Sequence, residues 1–141
     1  MALGELIYEH TGRVTGQRVL SVKEEERPKI ETSFSARGKF KGIDVTETTT
    51  YWSIPRPGGV FYGEEAQGVI MTSNGDEMAT YLAYGVGRFS GPGGRISFRG
   101  SVYYRTSSTE GKLASINNLV GVFEYEVDES GSTRAKVWEW K

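Results

Sequence analysis

The sequence predicts an all-β fold: a single antiparallel meander β-barrel of about eight strands, in one domain over residues 1–141. Three observations carry that expectation. Apolar and polar residues alternate with period two over several stretches, as in strands with one buried and one wet face. Glycine-bearing turn signals recur between those stretches. Nineteen glycines and eight tyrosines make the composition turn-rich and strand-favouring, and no segment sustains helical periodicity.

Taken in order, a first strand is expected near Leu6 to Val14, with Thr15-Gly16-Gln17 turning it into a second at Arg18 to Val22. Lys23 to Arg27 reads as a solvated loop. From Ile30 to Phe40 the set Ile30, Thr32, Phe34, Ala36, Gly38, Phe40 alternates with Glu31, Ser33, Ser35, Arg37, Lys39. A strand from Ile43 to Ser53 follows, and Pro55, Pro57, Gly58 and Gly59 punctuate the longest connection. Asn74-Gly75-Asp76 separates Val69–Thr72 from Met78–Val86, and Asn-Gly favours the primed turns that join twisted strands. Gly91-Pro92-Gly93-Gly94 leads into Ile96, Phe98, Gly100, Val102 and Tyr104, which alternate with Arg95, Ser97, Arg99, Ser101, Tyr103 and Arg105. Leu119, Gly121, Phe123, Tyr125 and Val127 form the next apolar set, and Asp128 to Ser132 turns it into a terminal strand ending Val137-Trp138-Glu139-Trp140. The expected interior includes Ile30, Phe34, Phe40, Ile96, Phe98, Val102, Phe123 and Tyr125.

Composition excludes several functions. The chain has no cysteine, hence no disulfide framework, thiol nucleophile or thiolate metal ligand. Its 17 basic and 18 acidic residues leave a net charge of −1, which argues against a phosphate-driven nucleic-acid partner. Met1 to Leu6 lacks a signal-peptide pattern and no apolar run could span a membrane, so a cytoplasmic protein with no membrane partner is the default expectation.

A weak internal repeat lays Gly38-Lys39-Phe40-Lys41-Gly42 on Gly87-Arg88-Phe89-Ser90-Gly91, and Glu64-Glu65-Ala66-Gln67-Gly68-Val69 on Asn117-Asn118-Leu119-Val120-Gly121-Val122. Two similar halves would suit a closed barrel, which leaves no sheet edge exposed. The segment Gly85-Val86-Gly87-Arg88-Phe89-Ser90-Gly91-Pro92-Gly93-Gly94-Arg95-Ile96-Ser97-Phe98 resembles the allene oxide cyclase-like small β-barrels, bacterial and plant proteins with many uncharacterised members. The resemblance covers mainly the second half and implies the barrel fold. It carries no catalytic residue over, because fold does not fix function.

The Gly85–Gly91 run lacks both Gly-x-Gly-x-x-Gly spacing and a following helix, so it reads as strand packing and a turn, not a phosphate loop. His10 is the only histidine, and the adjacent pairs Glu64-Glu65 and Asp128-Glu129 point to opposite strand faces, so no metal site or cofactor is expected. Arg95, Arg99 and Arg105 line an outward face and read as ordinary solvated surface.

The inward faces are more telling. Strand phase places His10 inside with Leu6, Tyr8 and Gly12, and Glu47 inside with Ile43, Val45, Thr49 and Tyr51. Four residues separate Glu64 from Gly68 and Asn117 from Gly121, so each shares its glycine's face unless a bulge intervenes. Glu64 then falls inside with Tyr62, Ala66 and Ile70, and Asn117 with Ser115. The candidate ligand-binding residues are thus His10, Glu47, Tyr51, Glu64, Tyr104, Asn117 and Tyr125. Buried ionisable groups are costly unless paired or wet, and they gather at functional sites. The leading expectation is a barrel binding a small, largely apolar ligand. The alternatives are a cofactor-independent cyclase or isomerase using Glu47 or Glu64 as base, and a filled barrel with a structural role. Three tryptophans point to a homo-oligomer, with Trp138 and Trp140 near the contact.

Overall fold

The computed structural model describes residues 3–23, 27–90 and 94–141. Eight antiparallel strands follow one another around a closed barrel, with β8 pairing back onto β1. They are β1 (Leu3–Ser21), β2 (Lys29–Phe40), β3 (Ile43–Arg56), β4 (Val60–Thr72), β5 (Met78–Phe89), β6 (Ile96–Thr106), β7 (Val120–Val127) and β8 (Ser132–Trp140). Most consecutive strands are joined by short connections, whereas a longer segment carrying Leu113 and Ile116 joins β6 to β7. The tightest is Lys41-Gly42, where both residues have positive φ, as a two-residue primed hairpin requires. At the Asn74-Gly75 turn Gly75 also has positive φ, and the Thr72 hydroxyl donates to Asn74 Oδ1 (3.0 Å) or Asp76 Oδ1 (2.6 Å). The expected turn residues Gly91-Pro92-Gly93, and Glu24–Glu26 of the expected loop, lie outside the described residues.

Two expectations fail in β1, both through bulges. Thr15-Gly16-Gln17 is not a turn: β1 runs on through it, with only a register shift between Val14 and Gly16. Leu6 does not point inward. Leu6 pairs with Trp138 while Tyr8 pairs with the adjacent Val137, so the two change faces, and Leu6 is 40% exposed where Ile7 and Tyr8 are buried.

Of the predicted core, Phe34, Phe40, Phe98, Val102 and Tyr125 are buried, and Ile30, Ile96 and Phe123 are half-buried. The interior divides into two apolar groups. One, around Tyr8, Phe40, Val45, Ile70 and Tyr104, is capped by Leu113 and Ile116 from the β6–β7 connection, both fully buried. The Glu77 carboxylate holds that cap by accepting the backbone N–H groups of Lys112 and Leu113, each at 2.9 Å. The other group is Phe34, Ala36, Tyr51, Phe98, Tyr125 and Ala135, and half-buried Ala66 and Phe123 pack against both.

The outer wall is unusually apolar on one side. On β5 the small residues Ala79, Ala83 and Gly87 are buried, while Met78, Leu82, Tyr84 and Val86 point out and are exposed. Cross-strand register continues this belt from Leu82 to Tyr103 and Val120, and from Val122 to Trp138 and Leu6.

Candidate functional site

The polar centre of the barrel is Glu47, on β3 with only 2% of its surface exposed. Its phase follows from the uninterrupted pairing of β3 with β2, where Glu47 sits opposite Ala36 between the buried Val45 and Thr49. A carboxylate there needs donors, because an unpaired buried charge is costly. Three hydroxyls serve it. Tyr8 donates to Oε1 at 2.8 Å, and Thr49 and Tyr81 each lie 2.6 Å from Oε2. Thr49 Oγ1 and the Tyr81 hydroxyl are also 2.7 Å from one another. Two hydroxyl protons therefore face three short oxygen–oxygen contacts.

Glycine makes part of this arrangement sterically feasible. A Cβ at Gly68 on β4 would collide with the Tyr81 ring and lie 2.6 Å from Thr49 Oγ1, so only glycine lets Tyr81 cross toward Glu47. Burial, and then the charge of Glu47, push the Tyr8, Tyr81 and Tyr104 phenols well above their ordinary range. These phenols stay protonated at physiological pH.

His10 stands beside the carboxylate, with Nε2 3.7 Å from Glu47 Oε1. Its ring is sandwiched between Tyr8, at 5.0 Å between centroids, and Phe34, stacked at 5.8 Å. It is 7% exposed, and its Nδ1 is buried with no hydrogen-bond partner. Burial lowers its pKa below the ordinary 6.5, against the opposing pull of Glu47. Protonation thus favours the unfolded chain, which binds the proton more readily. The stability that neutral His10 contributes is complete above about pH 6.5 and declines as pH falls below it, by at most about 1.4 kcal/mol per pH unit for one proton. Urea midpoints taken between pH 7.5 and 5.5 should show this slope in the native chain and a flatter one in His10→Phe. Equal slopes would remove the buried neutral histidine.

Above Glu47 lies a cavity of about 70 Å³, whose lining includes Tyr8, His10, Phe34, Glu47, Tyr51 and Tyr125. That is room for a few waters or a compact organic molecule. Apart from the Glu47 cluster and His10 its walls are aromatic or aliphatic, with Phe98, Phe123 and Val102 also on them. Tyr51 and Tyr125 meet edge to face at 5.6 Å, and among the described residues no lysine or arginine borders the space. Nor do the described residues contain a group of three or more His, Asp or Glu able to hold a metal ion.

Of the seven residues singled out from sequence, His10, Glu47, Tyr51, Tyr104 and Tyr125 line this cavity; Glu64 and Asn117 do not. The bulge that could invert Glu64 is present. Pairing of β4 with β5 skips from Gly63 to Ala66, Glu65 has positive φ, and a matching shift lies between Thr50 and Trp52 on β3. Glu64 is consequently half-exposed opposite Trp52, 3.9 Å from Lys29 Nζ, and Tyr62 is exposed with it. Ala66, Gly68 and Ile70, beyond the bulge, keep the inward phase. Asn117 is not on a strand. It follows the 3-10 turn Ala114–Ile116, is exposed like Ser115, and its Oδ1 accepts the Thr106 N–H at 3.0 Å. The shared Glu64–Asn117 site therefore does not exist.

Tyr81 is the member of the Glu47 cluster that sequence reasoning missed. The available signal was the small set Ala79, Ala83, Gly85 and Gly87 around it, since small residues are what a crowded interior admits. The more apolar alternate set on β5 instead faces outward.

No protein-family model matches the chain, and no curated protein matches it. Solved structures do. A β-barrel-like protein from Acinetobacter baumannii superposes with a TM-score of 0.78 at 12% identity, covering 99% of this chain and 95% of that one. A protein of unknown function from Clostridium acetobutylicum gives 0.76 at 14% identity, over 97% and 98%. A conserved protein of unknown function from Rhodopseudomonas palustris gives 0.72 at 13% identity, over 99% and 97%. The likeness is one of fold. Among the described residues no helix is long and apolar enough to cross a membrane.

Proposed function

We propose that this barrel binds a compact, largely apolar molecule in its interior, with the molecule's polar end against Glu47 and His10. The observation that carries the reading is the asymmetry of the cavity. One end is a buried carboxylate held by three hydroxyls beside a histidine with an unpartnered nitrogen. The remaining walls are rings and aliphatic groups. Ligand sites combine apolar walls with a few convergent polar groups in this way, although this cavity is smaller than most and limits the ligand accordingly.

A second reading, a cofactor-independent cyclase or isomerase of the kind the allene oxide cyclase-like resemblance implies, draws support from the Thr49–Tyr81–Oε2 triangle. With fewer hydroxyl protons than contacts, that cluster could accept a proton from a bound substrate at Oε2.

The partner proposed for the outer belt is a second copy of this chain. A run of neighbouring apolar side chains on an outer wall is a feature of contact surfaces. The row beside it, Arg99, Glu124, Lys136 and Glu9 in cross-strand register, alternates in sign. Such a row is complementary to its own reverse, which a two-fold axis parallel to the strands would lay over it. Native mass spectrometry of freshly purified protein tests both proposals in one measurement. A dimer retaining a small neutral molecule supports them. A monomer removes the dimer; a ligand-free barrel that takes up no compact neutral compound removes the binding function.

A further inference from the structure

Among the described residues, packed rings close the cavity toward both ends of the barrel. On the side of Ile96 and Val127, the rings of Phe34, Tyr51, Phe98 and Tyr125 form one contiguous group, with neighbouring centroids 5.2 to 6.3 Å apart. On the other side Tyr8, Phe40 and Tyr104 pack together beneath the fully buried Leu113 and Ile116. The side wall differs in one place. Gly63 and Gly85 line the cavity, and a glycine can do so only with its main chain. Tyr84 lines it too although its side chain points outward, so the space reaches the strand wall itself between β4 and β5. The wall is also least tied there. Glu65 pairs with neither neighbouring strand, since pairing with β5 skips from Gly63 to Ala66 and pairing with β3 skips from Glu64 to Gln67. Its φ of 44° lies in the left-handed region, which a residue with a Cβ adopts only under constraint.

Resting on the binding reading above, we propose that the β4–β5 bulge is the entrance through which the bound molecule reaches the interior, from the side and not from either end. Parting the wall between Gly63 and Ala66 separates no paired residues, whereas entry at an end requires the ring group or the cap to come apart. Local opening is easiest where ladder pairing and buried contacts are fewest. Inside the bulge the passage runs between Phe98 and Phe123, the rings nearest Gly63 and Gly85. Outside, it meets the apolar belt between the exposed Tyr62 and Tyr84, a surface suited to an apolar molecule before entry. Glu64 and Glu65 stand at the rim, so neutral molecules are admitted in preference to anions.

The chain has no cysteine, so a disulfide can be placed in it without competing thiols. Tyr84 lies opposite Glu64-Glu65, and Glu64→Cys/Tyr84→Cys sets two thiols across the bulge that oxidation joins. Xenon enters apolar cavities and serves as the probe, its exchange between water and the interior being read by saturation-transfer xenon NMR on the intact protein. Exchange should slow by about tenfold or more in the oxidised protein and recover on reduction. Glu77→Ala supplies an independent comparison, because it removes the acceptor that holds the cap at Lys112 and Leu113. It should leave the exchange rate unchanged, and it decides the matter if the two thiols do not join. Equal rates in the oxidised and reduced protein, or faster exchange in Glu77→Ala, would overturn the entrance and leave the binding function standing. No interior xenon signal in the native protein would overturn both.

Discussion

Phe98→Ala is expected to cost roughly 3–5 kcal/mol of folding stability through lost burial and the void left behind. Phe98 is 5% exposed, and its ring lies 5.7 Å from Tyr51 and 6.0 Å from Tyr125. It also packs against two glycines: a Cβ would come within 3.2 Å of the ring at Gly63 and 2.6 Å at Gly87. Those positions have no side chains that could swing in to fill the space, so truncation cannot be healed locally. The void would also adjoin the existing cavity, which Phe98 lines. Domains of this kind have only about 5–15 kcal/mol to lose. Equilibrium urea unfolding measures the change, and a cost below about 1 kcal/mol would mean that the ring does not seal the interior.

Glu47→Leu should be comparably severe, at about 3–5 kcal/mol. The substitution removes the acceptor for Tyr8, Thr49 and Tyr81 together, and a buried hydroxyl left unmatched costs about 1–3 kcal/mol. Part of the loss is softened because Thr49 and Tyr81, 2.7 Å apart, can bond to one another. Glu47→Gln should cost less, since the amide keeps one acceptor oxygen. The diagnostic comparison is the double variant Glu47→Leu/Tyr81→Phe. Removing the stranded phenol along with the carboxylate should make its cost smaller than the sum of the two single costs, as expected for groups in one network. Strict additivity would show that the two side chains are not coupled in solution.

The barrel was legible because its strands are regular over most of their length. Where pairing runs without interruption, as between β2 and β3, the period-two pattern places Phe34, Glu47 and Tyr51 correctly from sequence. Where a bulge intervenes, every residue on its far side changes face, and both Leu6 and Glu64 were assigned across one. Nothing in the residues around Glu65 distinguishes a bulge from a continuous strand. Asn117 failed for another reason: its segment is a cap. The three-residue spacing of Leu113 and Ile116, one helical turn, was its faint mark.

Part of the candidate site was legible in its members; Tyr81 and the contacts were not. His10 and Glu47 fell inside by phase alone. That Tyr8 on β1 and Tyr81 on β5 both reach a carboxylate on β3 depends on side chains crossing the barrel interior, and strand order alone does not supply that geometry. The outer apolar belt on β5 worked against the reading, because in a barrel crowded with tyrosines the small residues go in and the larger apolar ones go out.

An apolar space persists inside the folded barrel next to a carboxylate held by three hydroxyls. Diffraction from crystals of the native protein held under xenon pressure tests it most directly, since xenon enters apolar cavities. A xenon atom is expected between Phe34, Phe98, Phe123 and Tyr125, with the Tyr8 and Tyr81 hydroxyls still on Glu47. Interior density occupied only by side chains, with xenon bound solely on the outer wall, would contradict it.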